Sequence, residues 1–318
     1  MVSLSDILIS FEVTTLLFTK IILFVVLGIA AFFAFRILSK YNKTDTSPIQ
    51  YKLEKQSYLI TLIIQVSFMV LIVLLPFFIY SIDKLSNIIP GAMCGAGVFS
   101  ANSYGVYDIL LKILIIMLAS LWLSLNEKDQ MGENFPYIRI KLWLYIFIFT
   151  LFVIELYFEL SFFFSLTTQH PVLCCSAIYS DEENPIIFNL TSLNLMLLFY
   201  MSSLLLFLTV YLTSRFLLLL ITLAYLVVSY YSIVYFFTPY IYELPTHTCP
   251  FCMLQSEYNY IGYFIYGFLF MGTFHSLKAT IFGFTKKLKK QIIIWYILFL
   301  LVSSIHFIIY LLKNSVFL

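Results

Sequence analysis

The chain has 318 residues, 62% of them hydrophobic and 11% charged, with a net charge of +2 and a mean hydropathy of +0.99. A soluble domain of this size carries roughly 25% charged residues, so a water-soluble enzyme is excluded. So is a nucleic-acid binder, which would need a basic face. The expected fold is an all-α polytopic membrane bundle forming one integral domain over 1–318.

Eight apolar runs are long enough to cross a hydrocarbon layer about 30 Å thick. In chain order they lie near Leu16–Leu38, Ser57–Tyr80, Gly105–Leu125, Leu142–Ser165, Leu190–Leu212, Phe216–Thr238, Tyr258–Leu277 and Gln291–Leu312. The breaks between them alternate in charge. The first, third, fifth and seventh, counting Arg36 at the edge of the first, hold 14 of the 18 basic residues, including Lys286-Lys287-Leu288-Lys289-Lys290, whereas the second, fourth and sixth hold Lys84 alone. Basic loops stay cytoplasmic, so both termini are expected on the extracytoplasmic side, in a bacterial inner membrane. No cleavable signal peptide is expected, since the first basic residue is Lys20.

All five cysteines fall in the breaks expected outside: Cys94 in the second, Cys174 and Cys175 in the fourth, Cys249 and Cys252 in the sixth. That is the side on which disulfides persist. Three helix–loop–helix hairpins result, over 57–125, 142–212 and 216–277, flanked by the first and last spans. Their loops share a spacing, Pro90-x-x-x-Cys94, Pro171-x-x-x-Cys175 and Pro245-x-x-x-Cys249, which reads as an internal repeat.

The stretch Thr246-His247-Thr248-Cys249-Pro250-Phe251-Cys252 carries the richest chemistry. A Cys-x-x-Cys pair at a helix start has unpaired backbone N–H groups that favour thiolate. It can cycle between dithiol and disulfide. Equally, it can hold a soft metal, Cu(I) or Zn(II), with His247, His170 and Met93 as further ligands, or it can clamp the loop as a structural element. A disulfide between the neighbours Cys174 and Cys175 would be strained, whereas as thiols both suit one metal ion. Inside the spans, Asp108 and Lys112 sit one turn apart, as do Glu155 and Glu159. Ionisable groups in hydrocarbon are functional candidates, and these four form an expected proton or cation relay. Tyr260 and Tyr263, at the start of the seventh span, suit either an interface or a quinone pocket.

Cys249-Pro250-Phe251-Cys252-Met253 ahead of a span, with Cys94-Gly95-Ala96-Gly97-Val98-Phe99-Ser100 in an earlier loop, resembles the bacterial vitamin K epoxide reductase family and the functionally related DsbB proteins. The resemblance implies a membrane thiol–disulfide oxidoreductase. In it, Cys252 faces a quinone, Cys249 exchanges with the shuttle cysteines, and electrons come from a thioredoxin-fold partner outside the membrane. The chain departs from that family in its eight spans, in having no loop cysteine ahead of Cys94 and in its vicinal pair. The alternatives to the redox reading are soft-metal binding or transport, served by a metallochaperone, and a structural subunit of a larger membrane complex.

Overall fold

The computed structural model describes residues 4–40, 48–132, 136–166, 171–179 and 190–317. Helices dominate, and there is no strand among the described residues. In order they are α1 (Leu4–Ile9), α2 (Phe11–Lys40), α3 (Pro48–Leu85), α4 (Gly95–Phe99), α5 (Tyr104–Met131), α6 (Ile138–Phe164), α7 (Cys175–Ile178), α8 (Ser192–Leu212), α9 (Arg215–Ser232), α10 (Thr238–Tyr242), α11 (Ile261–Phe282) and α12 (Lys286–Asn314).

Seven of the long helical segments, α2, α3, α5, α6, α8, the run Arg215–Tyr242 and α12, are long and apolar enough to cross a bilayer. Their outward faces carry apolar side chains such as Phe32, Val73, Leu204 and Ile308, which suits lipid as the surrounding solvent. The protein is therefore an integral membrane protein. The eighth expected span coincides with a helix that is not among these seven. Tyr258–Leu277 corresponds to α11, 22 residues long, but three glycines, His275 and Lys278 dilute its apolar run and leave it outside the set of seven.

The chain divides into two compact units: Met1–Pro90 with Phe99–His170, and Gly91–Val98 with Pro171–Leu318. The division cuts through the expected hairpin 142–212. In the first unit α2 packs on α3 and α6, and α5 packs on α3 and α6, closing a ring of four. Its core includes Trp122 against Phe68, with ring centroids 5.2 Å apart. The Trp122 indole N–H donates to the Lys141 carbonyl at 2.9 Å. The Lys141 ammonium donates in turn to Asp129 at 2.7 Å and Asn126 at 3.0 Å, so a fully buried cation has its anion at hand.

In the second unit α8 packs on α9, α9 on α11, α11 on α12 and α12 on α8. Thr213, in the left-handed region, and Ser214 make the whole α8–α9 connection, too short for anything but antiparallel neighbours. The run from α9 into α10 is interrupted by a π turn over Ile233–Phe237. Pro239 has no N–H and its ring crowds the carbonyl four residues back, and widening the turn ahead of it relieves both. All five π-turn side chains are buried.

The α11–α12 seam depends on Gly272, where a Cβ would lie 2.8 Å from a ring carbon of Tyr296, itself fully buried. Gly267, on the same helix, has nothing within 4 Å of that position. Gly272→Ala is expected to destabilise the bundle by about 1–3 kcal/mol through overpacking, and Gly267→Ala to leave it unchanged or slightly firmer. Thermal unfolding of the two variants in one detergent checks this.

Candidate functional site

Three loops of the second unit bring four sulfurs to one place. Cys94 immediately precedes α4, Cys175 opens α7, and Cys249 and Cys252 lie between α10 and α11, with Cys252 starting a 3-10 turn over Cys252–Leu254. Their Sγ atoms all lie within 4.8 Å of one another. Cys94 and Cys249 are 3.5 Å apart, Cys175 and Cys252 3.7 Å. All four side chains are buried, none more than 5% exposed, and no disulfide joins any of the five cysteines.

Backbone chemistry sets this convergence. Gly91 has φ +85°, and a Cβ there would lie 2.4 Å from the Val172 carbonyl oxygen. Only glycine lets the Cys94 loop approach the Cys175 loop so closely. The Gln255 amide donates to the Met93 carbonyl at 3.1 Å, and the Thr248 hydroxyl donates to the Tyr179 carbonyl at 2.6 Å. The third loop is thus tied to each of the other two. Tyr242 fixes the Cys-x-x-Cys turn from below: its hydroxyl donates to the Cys249 carbonyl at 2.5 Å and accepts from the Met253 N–H at 2.9 Å. Tyr266 donates to the Pro250 carbonyl at 2.8 Å.

The sulfurs are electrostatically unequal. Hydrogen bonding with the neighbouring sulfurs of Cys249, Cys252 and Cys94 holds the pKa of Cys175 below the ordinary thiol range. The same hydrogen bonds with Cys175 push Cys249 and Cys252 up.

The expected site residues separate cleanly. The three cysteines of the Pro-x-x-x-Cys spacing, with Cys252, form the group. Cys174, half-buried and one residue from Cys175, stands outside it. His247 packs edge-on against Tyr242 with ring centroids 4.6 Å apart. It lies near Cys175 without joining the four. Met93 is 68% exposed, so its thioether faces away from a closed core. His170 lies outside the described residues. Tyr260 is 41% exposed and takes the left-handed φ of +56° as the cap of α11, with its ring 6.2 Å from that of Tyr263. Asp108, Lys112, Glu155 and Glu159 meet in the core of the first unit, where Lys20 joins them.

Tyr242 and Lys20 were not among the predicted members. A lone lysine in an apolar run is itself a signal. Tyr242 gives none, because its partners are main-chain atoms seven and eleven residues away.

Fold and site together define a class: an integral membrane protein of helical bundles with a buried tetracysteine cluster at the loops of one unit. No protein-family model, curated protein or solved structure matches the chain.

Burial predicts thiol reactivity. In the folded protein Cys174 is expected to react with a maleimide at least tenfold faster than the other four, and all five to react after denaturation. Mass mapping of the labelled peptides reads this. Gly91→Ala is expected to raise the reactivity of Cys94 and Cys175 toward that of Cys174, because its Cβ drives two loops apart.

Proposed function

We propose that this protein is a soft-metal-binding membrane protein whose second unit holds one Zn(II)-type ion on Cys94, Cys175, Cys249 and Cys252. The observation that carries the reading is the mutual approach of four sulfurs from three loops. A tetrahedral ion with Zn–S bonds of about 2.3 Å sets its sulfurs about 3.8 Å apart. The 3.5 Å and 3.7 Å separations are close to that edge, and the remaining sulfur pairs lie within 4.8 Å. An all-sulfur donor set favours soft or borderline ions over hard ones. Four protein ligands without an open position suit a closed site, which holds its loops together and gains folding free energy from the metal. Binding displaces the remaining thiol protons, so the loops rigidify as the ion enters.

The proposal includes an orientation: the cysteine end faces the extracytoplasmic side of a bacterial inner membrane, supported by the basic residues gathered in alternate breaks. A metallochaperone on that side would be the supplier.

The second reading is the thiol–disulfide oxidoreductase, with a quinone and a thioredoxin-fold partner. It is favoured by the Cys-Pro-Phe-Cys pair and by the sulfur–sulfur contacts Cys94–Cys249 and Cys175–Cys252. Burial of all four sulfurs weighs against it, since a partner's thiolate must reach the sulfur it attacks.

Metal analysis of protein purified anaerobically without chelator separates the two. About one zinc per chain is expected, lost in each of Cys94→Ser, Cys175→Ser, Cys249→Ser and Cys252→Ser and kept in Cys174→Ser. Cobalt in its place should show the absorption of a tetrahedral thiolate complex. A metal-free protein with disulfides Cys94–Cys249 or Cys175–Cys252 on mass mapping sinks the metal reading in favour of the redox one.

A further inference from the structure

The first unit contains a polar centre whose charges do not balance. Lys20 on α2, Asp108 and Lys112 on α5, and Glu155 and Glu159 on α6 are all buried, none more than 5% exposed. Lys20 donates to both oxygens of Glu155, at 2.7 Å and 2.8 Å, and lies 3.3 Å from Glu159 Oε2. Lys112 donates to Asp108 Oδ1 at 2.5 Å, to Glu159 Oε2 at 3.1 Å, and to Glu155 Oε1. The fourth helix of the ring, α3, contributes no ionisable group to the cluster among the described residues. It offers the ring of Phe78, 4.1 Å from the Lys112 ammonium, while Phe152 of α6 lies 5.1 Å from that of Lys20.

Three carboxylates thus face two ammonium groups. Two oxygens, Asp108 Oδ2 and Glu159 Oε1, are buried with no hydrogen-bond partner among the described residues. An ionised carboxylate placed so would leave a net charge in a low-dielectric interior and a strong acceptor unused, and each is unfavourable. Glu155 is different, because both of its oxygens are filled by lysine donors.

We propose that this cluster is a proton-binding site that keeps one exchangeable proton at neutral pH, shared by Asp108 and Glu159. The proton makes the cluster neutral and turns one of the two unused acceptors into a donor. Carboxyl groups that cannot both ionise hold such a proton. A metal ion fits less well, although one oxygen from each of the three carboxyl groups lies within 4.8 Å of the others. Both ammonium groups already occupy the space between the carboxylates. The adjoining cavity, only about 20 Å³, is lined by Lys20, Lys112 and Glu155 and by neither Asp108 nor Glu159. An incoming cation would meet the lysines first. Intramembrane carboxyls that give up and regain a proton are the parts from which proton relays are made, and Asp108 and Glu159 are the pair to which the structure assigns that chemistry.

Infrared spectra of the full-length chain in lipid nanodiscs test this. At pH 7 the carbonyl stretch of a protonated carboxylic acid is expected at an intensity of one group per chain. It should vanish in Asp108→Asn and in Glu159→Gln, each of which leaves two carboxylates against two ammonium groups. In Lys20→Met it should double. No acid band in the wild-type chain overturns the proposal, and this arm needs no variant to fold. A band unchanged in both amide variants also overturns it, as does one abolished by added sodium at constant pH, which would make the site a cation site.

Discussion

A helix bundle in lipid has no water with which to satisfy a charge or a polar atom, so each one placed inside must find its partner within the chain. That constraint accounts for most of what is specific in this protein. Among the described residues, three buried assemblies of ionisable groups stand in ring-filled apolar interiors: Lys141 with Asp129 and Asn126, the five-membered cluster around Lys112, and the four cysteines. The first is complete, with one cation facing one anion and an amide. The other two are not balanced by protein groups alone. The carboxylate cluster is one positive charge short. The sulfur cluster is a set of donors arranged as though around a centre. In the proposed reading each centre takes a small cation of matching chemistry: a proton on oxygen, a soft ion on sulfur.

The two centres are built from different materials. Carboxylates and lysines are delivered by long helices, whose one-turn spacing puts Asp108 below Lys112 and Glu155 below Glu159 before any tertiary contact forms. The sulfurs are delivered by loops, which have no such intrinsic register. Their positions are set by Gly91, by side-chain-to-carbonyl bonds from Gln255 and Thr248, and by the Tyr242 hydroxyl beneath the Cys-x-x-Cys turn. A loop site held this way gains from a metal that ties the loops together. A helix site needs no such tie.

Helical spans are legible because hydrocarbon thickness demands about 20 apolar residues and the eye can count them. Seven of the eight expected spans coincide with helices of sufficient apolarity. The eighth coincides with a helix whose glycines and His275 dilute it, since α11 is packed on both sides by α9 and α12 and small residues such as Gly272 let α12 approach. The Pro-x-x-x-Cys spacing was informative in a further way, because the three cysteines it marks all join the group, whereas of the two it passes over Cys252 joins and Cys174 does not.

By itself, the sequence determined the class of protein, the helical segments, the ionisable residues that share a helix face and the loops that hold the cysteines. All of these follow from local periodicity and from a solvent that rejects polar groups. Tertiary structure alone decided which four of five sulfurs converge, that Met93 faces away from them, that Lys20 completes the ionic cluster from a helix far along the chain, and that Asp108 and Glu159 are each left with an empty oxygen. Those outcomes depend on distances between segments far apart in the chain, such as the 155 residues between Cys94 and Cys249. No local pattern encodes such distances, because they are fixed only when the helices pack and one close approach, at Gly91, is sterically allowed.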